Sequence, residues 1–126
     1  MPVIFDWESI DILRVKYVGI INGDDAVEAS IRMSSDSRFD DLRGIIIDTL
    51  EITDNVAEAQ HVDSLVSLSR IMSKSNPRIR NALVLNRDEN TEALAALYTF
   101  LATDLVWDVE MFHAVDAARE WVLEPR

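Results

Sequence analysis

Apolar and polar residues alternate from the start of the chain: Val3, Phe5 and Trp7 fall on one side, Ile4, Asp6 and Glu8 on the other. After Ser9-Ile10-Asp11 the alternation resumes, with Leu13, Val15, Tyr17, Gly19 and Ile21 set against Arg14, Lys16 and Val18. Side chains of a strand point to opposite faces in turn, so this period predicts two half-buried strands. Their short connection predicts an antiparallel hairpin, and Asp6 and Glu8 on one face place its first strand at a sheet edge. Asn22-Gly23-Asp24-Asp25 then breaks the pattern. Asp24 can cap the free amides of a helix running through residue 33, with Val27 and Ile31 on the buried side. The polar stretch Ser34-Ser35-Asp36-Ser37-Arg38 reads as a loop.

Gly44-Ile45-Ile46-Ile47-Asp48 is a near-continuous apolar run between polar residues, the mark of a strand covered on both faces. Residues 56–74 carry Val62, Leu65, Val66, Ser69 and Met72 at helical spacing, and the helix must stop by Asn76-Pro77. The serines Ser64, Ser67, Ser69, Ser73 and Ser75 read as its solvated face. Ala82-Leu83-Val84-Leu85-Asn86 predicts another buried strand. Asn90 as cap, Glu92 in the first turn and the stripe Leu94, Leu97, Tyr98, Leu101 predict the next helix. Val109-Glu110-Met111-Phe112 reads as the last strand, and Ala114, Ala118, Trp121 and Val122 as the inner face of a last helix that Pro125 ends. The order β-β-α-β-α-β-α-β-α predicts an α/β fold with a mixed five-stranded sheet and four helices, parallel except for the hairpin, with right-handed crossovers. Ile45–Ile47 and Leu83–Leu85 should be neighbouring interior rungs. No repeat or linker divides residues 1–126, so one domain is expected.

Composition narrows the chemistry. With 126 residues, 48% of them hydrophobic, and only three Gly and three Pro, the chain is neither disordered nor low-complexity. It has no Cys, which excludes a disulfide scaffold, thiolate zinc sites and cysteine nucleophiles. A net charge of -11 repels phosphate backbones and anionic lipid, so nucleic acid and membrane surfaces are not expected partners. Met1-Pro2-Val3-Ile4-Phe5-Asp6 has no leader-like character and the apolar runs are only a few residues long, so the expected location is the cytoplasm. Between Asp63 and Asp88 no acidic residue occurs, while Arg70, Lys74, Arg78, Arg80 and Arg87 do. That basic stretch is a candidate contact surface for an acidic partner.

Two stretches carry a likeness to a known family. Gly44-Ile45-Ile46-Ile47-Asp48-Thr49-Leu50-Glu51-Ile52-Thr53 resembles the apolar strand ending in Asp, then a short Thr-containing loop, of STAS domains. Met111-Phe112-His113-Ala114-Val115-Asp116-Ala117-Ala118-Arg119-Glu120-Trp121-Val122 is similar to the closing strand, turn and helix of the small SpoIIAA-like members. The resemblance implies a regulatory domain of the anti-sigma-factor-antagonist type. Those antagonists carry an Asp-Ser-Ser-Gly sequence whose Ser accepts a phosphate from a partner kinase. Here the register reads Val56-Ala57-Glu58-Ala59, with no hydroxyl, and neither Thr53 nor Ser64 replaces it.

In open α/β sheets ligands sit beyond the carboxyl ends of the strands. Those ends read as Asn22, Asp48 with Thr49, Asn86 with Arg87, and His113, with Thr53 nearby, and these are the candidate binding residues. Asp48 invites comparison with a receiver-domain phosphoacceptor, but Asn86 and His113 stand where a hydroxyl and a Lys are needed. His61 and His113 have no metal-ligand spacing, and no Gly-rich phosphate loop or Gly-x-Ser-x-Gly elbow occurs. The expectation is a non-catalytic domain without cofactor or metal, acting through protein contacts. Arg70, Lys74, Arg78 and Arg80 would dock an acidic protein or a second copy in a homodimer. The alternative is a pocket for a lipid-like or anionic small molecule at the carboxyl ends of the strands.

Overall fold

The computed structural model of the chain describes residues 2–125. Its strands are β1 Val3–Trp7, β2 Ile12–Ile21, β3 Gly44–Asn55, β4 Arg80–Val84 and β5 Asp108–Phe112. Its helices are α1 Gly23–Ser35, α2 Ala59–Ser75, α3 Glu89–Leu101 and α4 Val115–Leu123, with a 3-10 turn at Ser37–Asp41. The five strands form one mixed sheet in the order β1-β2-β3-β4-β5. β1 pairs antiparallel with β2 and the rest run parallel. Ile45 and Ile47 lie opposite Asn81 and Leu83, so the two apolar runs are adjacent interior strands as their composition requires.

Because each strand joins its immediate neighbour, every right-handed crossover steps the same way and delivers its helix to the same face. α1, α2 and α3 accordingly cover one face, where Leu13, Val15, Ile45, Leu83 and Leu85 meet Ala29, Met33, Val62, Val66, Met72 and Tyr98. α4, after the last strand, is left to cover the other face and packs on Ile12, Ile46, Ala82 and Val84 through Ala118 and Val122. Gly44 lets it sit close: a Cβ there would lie 2.8 Å from Val122 Cβ. α4 packs against β3, β4 and β5, so the β1–β2 part of this face keeps its charged residues in contact with solvent. Among the described residues no helix is long and apolar enough to cross a membrane.

Several local expectations are corrected. Asn22, not Asp24, caps α1, in a reciprocal pair in which its side chain accepts from Asp25 N–H and Asp25 accepts from Asn22 N–H, both at 3.0 Å. The buried residues of α1 are Gly23, Ala29 and Met33, and Ile31, two positions from both Ala29 and Met33 and so on the far side of the helix, is 49% exposed. The expected loop at 34–38 is mostly the end of α1 and the 3-10 turn, which plants Phe39 in the core. α3 is capped by Asp88, whose carboxylate accepts from Thr91 N–H at 2.9 Å, while Asn90 donates to the Asn55 carbonyl. Ser69 and Ser73 are buried and do not belong to a solvated face.

The largest correction concerns β3, which does not end at Asp48. Its second half, from Glu51 to Asn55, pairs with Val18–Ile21, with one extra β3 residue at each of two register shifts, so Thr49 and Thr53 lie within a strand and not in a loop. A ten-residue β2 needs a partner along its whole length, and β3 supplies it.

Candidate functional site

The structure does not gather the candidate binding residues into one site. Asp48 lies mid-strand on the α4 side, 1% exposed, and its Oδ2 accepts from Arg14 Nε at 2.9 Å and Nη2 at 2.6 Å. Its Oδ1 accepts from Leu50 N–H at 3.0 Å. Thr49 faces the opposite side and donates to the Val84 carbonyl at 2.7 Å. Thr53 is exposed. Asn86 donates to the Ile52 carbonyl at 3.0 Å and accepts from Asp88 N–H at 3.0 Å, a local turn that leaves Arg87 at φ 70°. His113 Nε2 sits 2.9 Å from Glu92 Oε1, both about two-fifths exposed.

Asp48 belongs to a structural ion network. Arg119 clasps Glu8 through Nε at 2.9 Å and Nη2 at 2.7 Å, tying α4 to the end of the hairpin, and Arg14 Nη1 reaches Glu8 at 4.0 Å. Lys16 pairs with Glu51 across the same face. The hydrogen bonds from Arg119 hold the Glu8 carboxyl below its ordinary value of 4.5. A depressed folded-state pKa contributes stability above the ordinary value that is lost as the pH falls through the lower folded one. The stability gap between the native chain and Glu8→Gln, read by urea denaturation, should therefore be full at pH 7 and close on the acid side of 4.5. A gap that stayed constant down to pH 3 would refute the clasp.

The basic stretch is dispersed and largely engaged. Arg70 donates to Asp104 at 2.9 Å, and Arg78 donates to the Asp40 carbonyl at 2.7 Å. Arg80 is only 13% exposed and lies under α4, donating to the Trp121 carbonyl at 2.7 Å beside Glu124 and Asp108. It is a packing residue and not part of a docking surface. Lys74 is exposed near the end of α2.

A cavity of about 150 Å³ lies on the other face, between the sheet and α1, α2 and α3. Its wall is mostly aliphatic and aromatic: Ile47 and Leu83 from the sheet, Leu85 just past the end of β4, Val62 and Leu65 from α2, Leu94 and Tyr98 from α3. Among the described residues the lining contains no Lys, Arg, Asp or Glu. Asn55, Ala57 and His61 are half-buried at the carboxyl end of the strands, whereas Met33, Met72, Asn81 and Trp107 at the opposite end are buried, so the opening is at the carboxyl rim. His61 stands there because α1 starts with Gly23: a Cβ on that residue would lie 1.9 Å from His61 Cγ. Nδ1 of His61 accepts from Glu58 N–H at 3.0 Å, which fixes the ring across the mouth with Nε2 toward Asp24.

Polar groups line the cavity at both ends. At the rim they satisfy one another: Asn55 donates to Thr91 Oγ1 at 3.1 Å and accepts from Ala57 N–H, and Thr91 donates to Asp88. At the deep end Asn81 Nδ2 donates to Tyr98 OH at 3.3 Å, and Tyr98 OH shares a 2.6 Å hydrogen bond with Ser69. Burial raises the Tyr98 phenol above its ordinary pKa, and raises that of Tyr17, which lines the same space. Oδ1 of Asn81, a residue 5% exposed, has no hydrogen-bond partner. Asn81, Ser69, Tyr98 and His61 were not among the sequence candidates. The signal was present in one place, since an Asn one residue before the apolar run Ala82–Leu85 is out of character for a buried strand.

No family model matches the chain, and no curated protein matches it. The class that fold and site define is an α/β domain with a mixed five-stranded sheet, four helices and a helix-covered cavity open at the carboxyl rim.

Proposed function

We propose that the chain is a STAS-like, non-catalytic binding domain of the cytoplasm, and that it takes a small molecule into the cavity beneath α1, α2 and α3. The observation that carries this reading is the cavity itself: about 150 Å³, apolar-walled and open where α/β sheets receive their ligands. The STAS likeness draws support from the order of elements and the single mixed sheet. The segment Val56-Ala57-Glu58-Ala59, which leads into α2, offers no hydroxyl for a phosphate switch. Of the lipid-like and anionic ligands that the sequence left as alternatives, the uncharged lining favours an apolar, neutral one.

Regulation through protein contacts on α2, with an acidic partner or a second copy, is the second reading. Ile71 favours it, standing 68% exposed between Arg70 and Lys74. The engagement of Arg70, Arg78 and Arg80 within the chain weighs against it.

Toluene is the test probe for the cavity. At about ten times its dissociation constant it should raise the melting temperature by roughly 4–6 °C. Ala95→Phe, which adds a ring to the wall, should melt cooperatively and show no rise with toluene. Absence of any shift in the native chain up to the solubility limit would sink the reading.

A further inference from the structure

We propose that the cavity selects a small, uncharged molecule bearing a hydrogen-bond donor, such as an alcohol or a phenol, and holds it donor-inward on Oδ1 of Asn81. This rests on the ligand-binding reading above and says what the ligand must be.

The deep end supplies one open acceptor. Oδ1 of Asn81 is buried and without a partner, in a residue whose Nδ2 is committed to Tyr98 OH, which is in turn bound to Ser69. A buried acceptor left unmatched is destabilising, so a donor delivered to it is favourable beyond the apolar contact that accompanies it. The rim offers no such acceptor, because Asn55, Ala57 and Thr91 are engaged with one another and with Asp88, and His61, whose Nδ1 accepts from Glu58 N–H, presents only the Nε2 side of its ring, toward Asp24. Asn81 sits opposite Ile45 and Val109 near the amino ends of the strands, while Leu83 and Leu85 follow it toward the rim. A ligand that reaches Oδ1 therefore lays its apolar body along Leu83, Ile47 and Val62.

Charge and size restrict the class further. With no Lys, Arg, Asp or Glu among the described lining residues, an ionised ligand would be stripped of water with nothing to pair it. A volume of about 150 Å³ matches a single ring or a short branched chain, since an engineered apolar cavity of roughly that size takes up benzene.

Phenol and toluene differ by a hydroxyl in place of a methyl group and separate the two contributions. In a wholly apolar cavity phenol binds worse than toluene, because its hydroxyl loses water and gains no partner. Here isothermal titration calorimetry on the native chain should show phenol binding roughly ten-fold or more tightly than toluene, with anisole, whose oxygen cannot donate, behaving like toluene. Asn81→Leu should abolish the preference for phenol while keeping toluene uptake. Toluene binding with no preference for phenol would overturn the donor site and leave the cavity reading intact. Failure of both probes would remove both. A preference for acetophenone over phenol, or measurable uptake of benzoate, would equally overturn the assignment of a neutral donor. If Asn81→Leu fails to fold, the comparison of phenol, anisole and toluene on the native chain decides alone.

Discussion

Replacing Arg14 with Met should lower the unfolding free energy by about 3–5 kcal/mol, read from the urea midpoint at unchanged slope. Asp48 is 1% exposed and takes both of its short side-chain hydrogen bonds from Arg14, at 2.6 and 2.9 Å. Without the guanidinium, a carboxylate closed to water keeps only the N–H of Leu50. The reverse change is milder. Asp48→Asn retains an acceptor for Leu50 and leaves Arg14 near Glu8 with 24% of its side chain in water, so a loss of about 1–2 kcal/mol is expected. The double variant should recover part of the Arg14→Met loss, because the stranded charge is gone. Equal losses for the two single changes would show that Asp48 is not buried as a charge behind Arg14.

Asn76→Ala should lower stability by about 2–5 kcal/mol. Asn76 is 2% exposed at the end of α2, and its Nδ2 donates to the carbonyls of Phe39 and Leu42, both at 2.9 Å. Its Oδ1 accepts from Arg78 N–H, and its own carbonyl accepts from Trp107 Nε1 at 2.7 Å. The side chain thus joins the end of α2 to the 3-10 turn, while the backbone carbonyl of the same residue holds Trp107 from the loop before β5. Alanine takes from the Leu42 carbonyl its side-chain donor, leaves the Phe39 carbonyl only the Leu42 N–H at 3.2 Å, and opens a void beside the Phe39–Trp107 contact, whose ring centroids are 6.5 Å apart. Hydrogen exchange should show the 3-10 turn loosening before the sheet does. A loss under about 0.5 kcal/mol would mean that water or local relaxation satisfies those carbonyls.

Asp48 and Arg80 show where a reading of the chain stops. Asp48 closes an apolar run, and charged residues usually do mark the end of a strand, so it reads as a rim residue. Its neutralising partner is 34 positions earlier, on the face of β2 that looks merely solvated in the alternation. Arg80 illustrates the same difficulty. It reads as one cation in a basic stretch, yet α4 folds over it from 41 residues away and supplies the Trp121 carbonyl. The length of β3 was hidden for a related reason. Glu51, Thr53 and Asp54 carry no apolar pattern, and the strand persists because β2 runs on beside it through two register shifts.

The cavity was less legible still. Val62, Leu65, Leu83, Leu94 and Tyr98 all read correctly as inward-facing, but nothing in the spacing of apolar residues tells whether the space between them is filled. Asn81 stands one residue outside the run taken for β4, and His61 reads as an unremarkable helix residue. Both matter only because α1 and α2 approach closely at Gly23 and because Tyr98 of α3 reaches the amino half of β4.

What the chain determines by itself is the succession of elements, the antiparallel hairpin at one edge, and the adjacency of Ile45–Ile47 with the strand containing Leu83. These follow from periodicity and from right-handed connection of neighbouring strands, which are properties of short stretches. What only the tertiary structure decides is which polar side chains meet: Arg14 with Asp48, Arg119 with Glu8, Asn76 with two carbonyls, and Asn81 Oδ1 with no partner. Those pairings depend on strand register and helix placement to within an ångström or so, and hydropathy along the chain carries no information at that scale.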